Sequence, residues 1–99
     1  MEKLSNKLSS IKQSAQPGFM FHTVAGYPDM ESSAQIAKTI LDSGADILEI
    51  QIPFSDPVAD GPVIANANEV ALERGARVED CLEMIKDLAS ISEVPILIM

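Results

Sequence analysis

Three short runs of apolar and β-branched residues, separated by helical segments, constrain the fold of this chain most strongly. The runs cover residues 19–24, 46–52 and 94–99 of a 99-residue sequence. Strands that alternate with helices form βαβ units, and their strands lie parallel in one sheet. The sequence therefore predicts an α/β fold in which right-handed crossovers place helices over one face of the sheet.

The helical segments are indicated by apolar spacing and by residues that begin or end a helix. Near the N-terminus, apolar residues recur at helical spacing at Leu4, Leu8 and Ile11. Asp29 is placed to cap a second helix, which Gly44 would end. Two further helices are predicted, over residues 63–75 and 78–88. No helix follows the third strand, so we expect residues 1–99 to form one partial domain that is interrupted in that strand.

Charge and cysteine content exclude several classes of function. The net charge is −8, from 15 acidic and 7 basic residues, which argues against binding to nucleic acid or to an anionic membrane. Cys81 is the only cysteine, so no intramolecular disulfide is possible. The sequence has no secretory apolar run, no membrane-length apolar stretch and no zinc-binding motif. We expect a soluble, cytoplasmic protein without a metal site.

Glu49 is the strongest candidate for a chemical role. Alternation along residues 47–52 puts the even-numbered, apolar side chains on one face of the second strand and Glu49 on the other. If the sheet belongs to a barrel, Glu49 faces inward near the carboxyl end of its strand, where barrel active sites lie. The alternatives are a buried glutamate paired with a basic residue, or a different strand register.

Each of the other candidate residues has a structural explanation as well as a functional one. Asp60 precedes Gly61-Pro62 and is either a helix cap or a second active-site carboxylate, and Asp56 is either a turn former or part of the same site. His22 lies on the first strand, where a lone histidine is commonly a packed, hydrogen-bonded residue. The residues predicted to lie in the core are Met20, Cys81, Met84 and Met99.

The string LEIQIPFSDPVADGP, residues 48–62, closely resembles the signature of the tryptophan synthase alpha subunit family. Similarity extends to VAGYPD at residues 24–29, GAD at 44–46 and VPI at 94–96. The resemblance implies a (βα)8 TIM barrel with an extra N-terminal helix. This chain would supply the N-terminal part of it, about two and a half βα units, truncated in the third strand.

The resemblance also implies a reaction, the retro-aldol cleavage of indole-3-glycerol phosphate to indole and glyceraldehyde 3-phosphate. Glu49 matches the family's acid–base carboxylate, which protonates C3 of the indole ring and accepts the glycerol hydroxyl proton. Asp60 matches a second catalytic carboxylate, which pairs with the indole N–H. His22 and Ile64 would line the substrate pocket. No cofactor is expected in this subunit.

A partner is implied as well, since family members form an alpha2-beta2 assembly in which the beta subunit uses pyridoxal phosphate. The residues expected to contact that beta subunit are Pro53, Asp56 and Pro57. The family's phosphate site comes mainly from loops after the seventh and eighth strands, so we expect the 99 residues alone to be inactive. The alternatives are a non-catalytic remnant that binds a beta subunit, and a different phosphate-handling barrel enzyme with the same motif.

Three positions depart from the family pattern. Gln51 stands where glycine is usual and would put an amide near the mouth of the pocket. Tyr27 stands where aspartate is usual before the proline, and His22 where an aromatic pocket residue is expected. A histidine there could still stack on indole, although it would make that wall of the pocket more polar.

Overall fold

A computed structural model describes residues 2–54 and 61–99 of the chain. Its elements follow in the order α1 (Glu2–Ser14), β1 (Met20–Val24), α2 (Met30–Asp42), β2 (Ile47–Gln51), α3 (Gly61–Glu73), α4 (Val78–Ile91) and β3 (Ile96–Ile98). The predicted alternation of strands and helices is confirmed. Three predicted helix boundaries are wrong by a turn or less, because α3 spans Gly61–Glu73 rather than 63–75 and α4 ends at Ile91 rather than Leu88.

The three described strands form one parallel sheet in the order β1-β2-β3, so β2 is the central strand. Pairing with β3 continues beyond its last strand residue, since the Met99 N–H donates to the Ile50 carbonyl at 2.9 Å. The Ile52 N–H in turn donates to the Met99 carbonyl at 3.0 Å. The carboxyl end of β2 is therefore held on both sides up to the start of the segment that follows it.

The main core lies between β2 and the two helices α2 and α4. Leu48 and Ile50 are fully buried on one face of β2, as the alternation of the sequence predicts. The helix residues that pack in this cluster are Ala37, Leu41, Cys81, Met84, Ile85 and Leu88. Burial of these apolar side chains supplies the main force that holds the helices on this face.

A second, smaller cluster joins α3 to the carboxyl end of β1. Val24 packs there against the small side chains of Ala67, Ala71 and Ala76. Gly26 follows β1 with a φ of +86°, and a Cβ at this position would lie 2.7 Å from the Cβ of Ala76. Only a residue without a side chain fits both the left-handed backbone and this close approach.

The start of α2 is fixed by two side-chain hydrogen bonds. Asp29 is its N-cap, as predicted, because the Ser32 N–H donates to Asp29 Oδ1 at 2.8 Å. The Gly26 N–H donates to Ser33 Oγ at 2.9 Å, and Ser33 is fully buried. The turn after β1 is thereby tied to the first turn of α2.

The prediction of core residues is correct for Cys81 and Met84, which are buried, and wrong for Met20 and Met99. Met20 is 57% exposed and Met99 is 59% exposed. Met20 begins the outer strand β1 and Met99 follows the outer strand β3, and Met20 shares the face of His22, opposite α2 and α4. An apolar side chain is buried only where another element covers it, and α3 reaches this face only at its carboxyl end, near Val24 and Gln51.

Candidate active site

The candidate site begins with Glu49 on the sheet face opposite α2 and α4. Leu48 and Ile50, its neighbours on β2, point into the core, so the pleat of the strand directs Glu49 the opposite way. The strand register aligns Glu49 with His22 on β1 and with Leu97 on β3. The orientation predicted from the sequence is confirmed, and Glu49 lies at the middle of a row of three side chains.

The Glu49 carboxylate is accessible rather than sealed in the interior. Its side chain is 24% exposed, and its Oε1 atom lies 4.0 Å from Nε2 of His22. At this distance the two groups are at the outer limit of an ion pair. A carboxylate that is partly buried, held on a rigid central strand and open on one side can give a proton to a bound molecule or accept one from it.

His22 is neither a buried core residue nor an unpaired one. Its side chain is 29% exposed, on the same face as Glu49. Its Nε2 atom lies 3.0 Å from Oε1 of Gln51, which is a hydrogen-bonding distance. The structure therefore places this predicted pocket residue beside the candidate acid–base group, with its ring held by a neighbour on β2.

Gln51 lies on the same strand as Glu49, two residues further along, and is almost completely buried at 1% exposure. Besides the contact with His22, its Nε2 atom donates to Oδ1 of Asn68 on α3 at 3.3 Å. The expectation from the sequence put this amide near the mouth of a pocket. In the structure the amide contacts the side chains of His22 and Asn68.

Asn68 is a residue that the sequence analysis missed. It is fully buried on α3, where it accepts a hydrogen bond from the Phe54 N–H at 3.2 Å and donates to the Ile64 carbonyl at 2.8 Å. The signal in the sequence is an asparagine on the same helix face as Ala67 and Ala71, where an apolar residue is expected. A polar residue at such a position needs specific partners, and the sequence does not say which.

The other predicted site residues lie outside the described ranges or away from the Glu49 carboxylate. Asp56, Pro57 and Asp60 lie outside the described residues, so the assignments of Asp60 to catalysis and of the other two to a partner surface stay predictions. Pro53 is described and buried. Ile64 is half-buried and packs against the small cluster around Val24. Its carbonyl, as the acceptor from Asn68, connects it to the network behind Glu49.

A groove elsewhere in the described chain is partly occupied by an anchoring contact of α1. This groove of about 590 Å³ lies at the amino end of β3, between α1 and α4, where its lining includes Lys3, Ala89 and Pro95. The Lys3 ammonium there donates to the carbonyls of Ala89 and Ser92, which anchors α1. Within residues 2–54 and 61–99, no cluster of three or more histidine, cysteine, aspartate or glutamate side chains could hold a metal ion. No helix in those ranges is long and apolar enough to cross a bilayer.

Comparison with known protein families identifies the family of this chain. A sequence model of the family described as "Tryptophan synthase alpha chain" matches residues 8–99. The chain belongs to the tryptophan synthase alpha family. The TIM-barrel architecture that the resemblance implied is therefore confirmed, with the described strands and helices as its first part.

Individual relatives agree with this assignment. The tryptophan synthase alpha chain of Desulforapulum autotrophicum is 50% identical over 81% of this chain and 32% of its own length. That of Aquifex aeolicus is 44% identical over 100% of this chain and 38% of its own length. The chain thus spans about a third of the length of these curated relatives.

Solved structures give the same result for the backbone. A structure from Aquifex aeolicus matches 98% of this chain and 39% of its own, with a TM-score of 0.93 and 44% identity. The tryptophan synthase alpha subunit of Legionella pneumophila matches with a TM-score of 0.92 and 34% identity, over 98% of this chain and 37% of its own. An open form of tryptophan synthase from M. tuberculosis matches 98% of this chain and 39% of its own, with a TM-score of 0.90 and 34% identity.

Proposed function

We propose that this chain supplies the acid–base part of a tryptophan synthase alpha subunit, which cleaves indole-3-glycerol phosphate to indole and glyceraldehyde 3-phosphate. The observation that carries the proposal is the position of the partly exposed Glu49 on the face of the central strand opposite the main core, in a member of this family. An inward-facing carboxylate near the carboxyl end of a barrel strand is in the region where TIM-barrel enzymes carry out their chemistry.

The proposed reaction gives Glu49 two proton transfers. Its protonated form delivers a proton to C3 of the indole ring, and its carboxylate accepts the proton of the glycerol hydroxyl beside that carbon. The carbon–carbon bond between ring and glycerol chain then breaks, leaving indole and an aldehyde. Partial exposure of Glu49 is consistent with this role, because the carboxylate must reach a bound molecule.

Asp60 is proposed as the second catalytic carboxylate. It would accept a hydrogen bond from the indole N–H and stabilise the positive charge that develops on the ring when C3 is protonated. His22 and Ile64 are proposed as pocket residues, and His22 has the better support because it neighbours Glu49 directly. The proposed chemistry requires no cofactor in this subunit.

We further propose that the site works in a cytoplasmic complex with a tryptophan synthase beta subunit, which holds pyridoxal phosphate and uses the indole. Asp56 and Pro57 are the proposed contact residues, whereas the burial of Pro53 argues against a contact through its side chain. Since the chain spans about a third of its relatives, we expect the isolated 99 residues to release no indole. The phosphate-binding loops of such barrels follow their last strands, which lie in the remaining two thirds of those relatives.

The test is a chimera that supplies the rest of the barrel. Residues 1–99 replace the corresponding part of the Aquifex aeolicus alpha chain, to which they are 44% identical with a TM-score of 0.93. Indole release from indole-3-glycerol phosphate is then measured with and without a beta subunit. We expect the chimera to release indole and Glu49→Gln to reduce the rate at least about 100-fold, the lower end for loss of a general acid–base group.

The matched control is Glu69→Gln, the same substitution at an exposed position of α3, which should leave the rate unchanged. Full activity in the Glu49→Gln chimera would refute the proposed role of Glu49. A folded but inactive chimera that still binds the beta subunit would favour a purely partner-binding role for these residues. Indole release by the 99 residues alone would show that the expectation of inactivity is wrong.

A further inference from the structure

A chain of hydrogen bonds near Glu49 runs from His22 through Gln51 to Asn68. Which group donates at each step follows from the contacts of Asn68. Asn68 contacts two backbone groups whose roles are fixed by chemistry. The Ile64 carbonyl can only accept, so the Asn68 atom 2.8 Å away must be the amide nitrogen. The Phe54 N–H can only donate, so its Asn68 partner at 3.2 Å must be the oxygen. The orientation of the Asn68 amide is therefore set at both ends.

This fixed amide sets the orientation of Gln51. The Asn68 oxygen that faces Gln51 can only accept, so Gln51 presents its nitrogen there, at 3.3 Å. Its own oxygen then faces the first strand and lies 3.0 Å from Nε2 of His22. An amide oxygen has no proton to give, so the His22 nitrogen must carry one. The position of the proton on His22 therefore follows from the contacts of Asn68 with the Phe54 N–H and the Ile64 carbonyl.

We propose that Gln51 and Asn68 are positioning residues that hold His22 as an Nε2–H donor beside Glu49. The proposal rests on the proposed function for its consequence in catalysis. Because Nε2 carries a proton in this arrangement, it cannot accept one from the Glu49 carboxyl 4.0 Å away. His22 is therefore a fixed wall of the site, and Glu49 remains the group that exchanges protons with the substrate.

Burial makes the hydrogen-bonded chain of Gln51 and Asn68 a strong constraint on the proton position of His22. Gln51 and Asn68 are 1% and 0% exposed, so turning either amide would place like atoms against each other where water cannot replace the lost hydrogen bond. Asn68 also bonds to Phe54, just before residues 55–60, and to Ile64, just after them. The same side chain thus connects His22 to both flanks of the segment that contains Asp60.

The experiment uses the fact that His22 is the only histidine in the chain. In the ¹⁵N-labelled 99-residue chain, nitrogen NMR of the imidazole reports which ring nitrogen carries the proton without any assignment step. We expect a protonated Nε2 whose hydrogen is protected from exchange with water and is therefore visible. Gln51→Leu removes the acceptor, and the visible hydrogen should be lost. Asn68→Ala removes the acceptor of the Gln51 Nε2 hydrogen bond, which should shift part of the proton population of His22 to Nδ1.

Glu49→Gln is the matched control, because it alters the other group near Nε2 of His22 and leaves the hydrogen bonds of Gln51 and Asn68 intact. The protected hydrogen should survive in this variant. The proposal is overturned if the unsubstituted chain carries its proton on Nδ1, or if the signal is lost in Glu49→Gln and kept in Gln51→Leu. The measurement involves no substrate, so its outcome is independent of whether the chimera releases indole.

Discussion

The close approach between Gly26 and Ala76 makes Gly26→Ala a sharp test of the packing at the end of β1. Two separate costs are expected. The first is the backbone: φ is +86°, a left-handed conformation that costs an alanine about 1–2 kcal/mol. The second is steric, because the new Cβ would lie 2.7 Å from the Cβ of Ala76, closer than carbon atoms can pack. Forcing an extra methyl group into a packed site costs about 1–3 kcal/mol.

Gly44→Ala is a control that isolates the first cost. Gly44 has a φ of +94°, but a Cβ there would meet no atom within 4 Å. We therefore expect Gly44→Ala to lower the free energy of unfolding by about 1–2 kcal/mol and Gly26→Ala by about 2–5 kcal/mol. The difference, about 1–3 kcal/mol, measures the contact with Ala76.

The assay is urea unfolding of the 99-residue chain followed by circular dichroism, since the chain has no tryptophan and one tyrosine. With a slope of about 1–3 kcal/mol per molar urea, the two variants should differ in midpoint by roughly 1 M. Ala76→Gly should rescue the steric part of Gly26→Ala and nothing of Gly44→Ala. Ala76 cannot simply move away, because its N–H is bonded to the Ala71 carbonyl at 3.1 Å. Equal losses in the two glycine variants would refute the steric argument.

Three further predictions test the core, the α2 cap and the buried thiol. Leu48→Ala at a fully buried position should lower the free energy of unfolding by about 2–5 kcal/mol. Leu82→Ala, at a position that is 44% exposed, should lower it clearly less. Equal losses would contradict the assigned face of β2. The Ser32 backbone N–H lowers the pKa of Asp29, so its cap stabilises the fold above the unfolded pKa and is lost as pH falls through the folded pKa. Asp29→Asn should therefore flatten the acid limb of the urea midpoint against pH, and an unchanged limb would refute this. Burial raises the pKa of the Cys81 thiol, so alkylation at mildly alkaline pH should be slow in the native chain and fast in urea, and equal rates would contradict its burial.

The features that could be predicted from the sequence are those set by local geometry. The inward direction of Glu49 follows from the two-residue period of a strand, which any extended backbone must obey. The Asp29 cap follows from the ability of a short carboxylate to accept a nearby backbone N–H. Both depend on residues within a few positions of each other, so neighbouring residues in the sequence contain the necessary information.

The features that could not be predicted depend on contacts between distant residues. Gln51 and Asn68 are 17 positions apart, and only the packing of α3 against the sheet brings them together. Met20 was predicted to be buried because it is apolar, but exposure depends on whether another element covers its face of the sheet. The catalytic and partner roles of Asp56, Pro57 and Asp60 rest on the sequence resemblance, since those residues lie outside the described part of the chain.

His22 and Gln51 are coupled in the structure, because Nε2 of His22 lies 3.0 Å from Oε1 of Gln51. A glutamine amide that is 1% exposed loses about 1–3 kcal/mol for every polar atom left without a partner. In the described residues no buried side-chain nitrogen or oxygen lacks a hydrogen bond, and His22 supplies the partner for the Gln51 oxygen. An apolar aromatic ring at position 22 would remove that donor, and glycine at position 51 would remove the acceptor for the imidazole. Replacing both residues together should therefore cost less than the sum of the two single replacements.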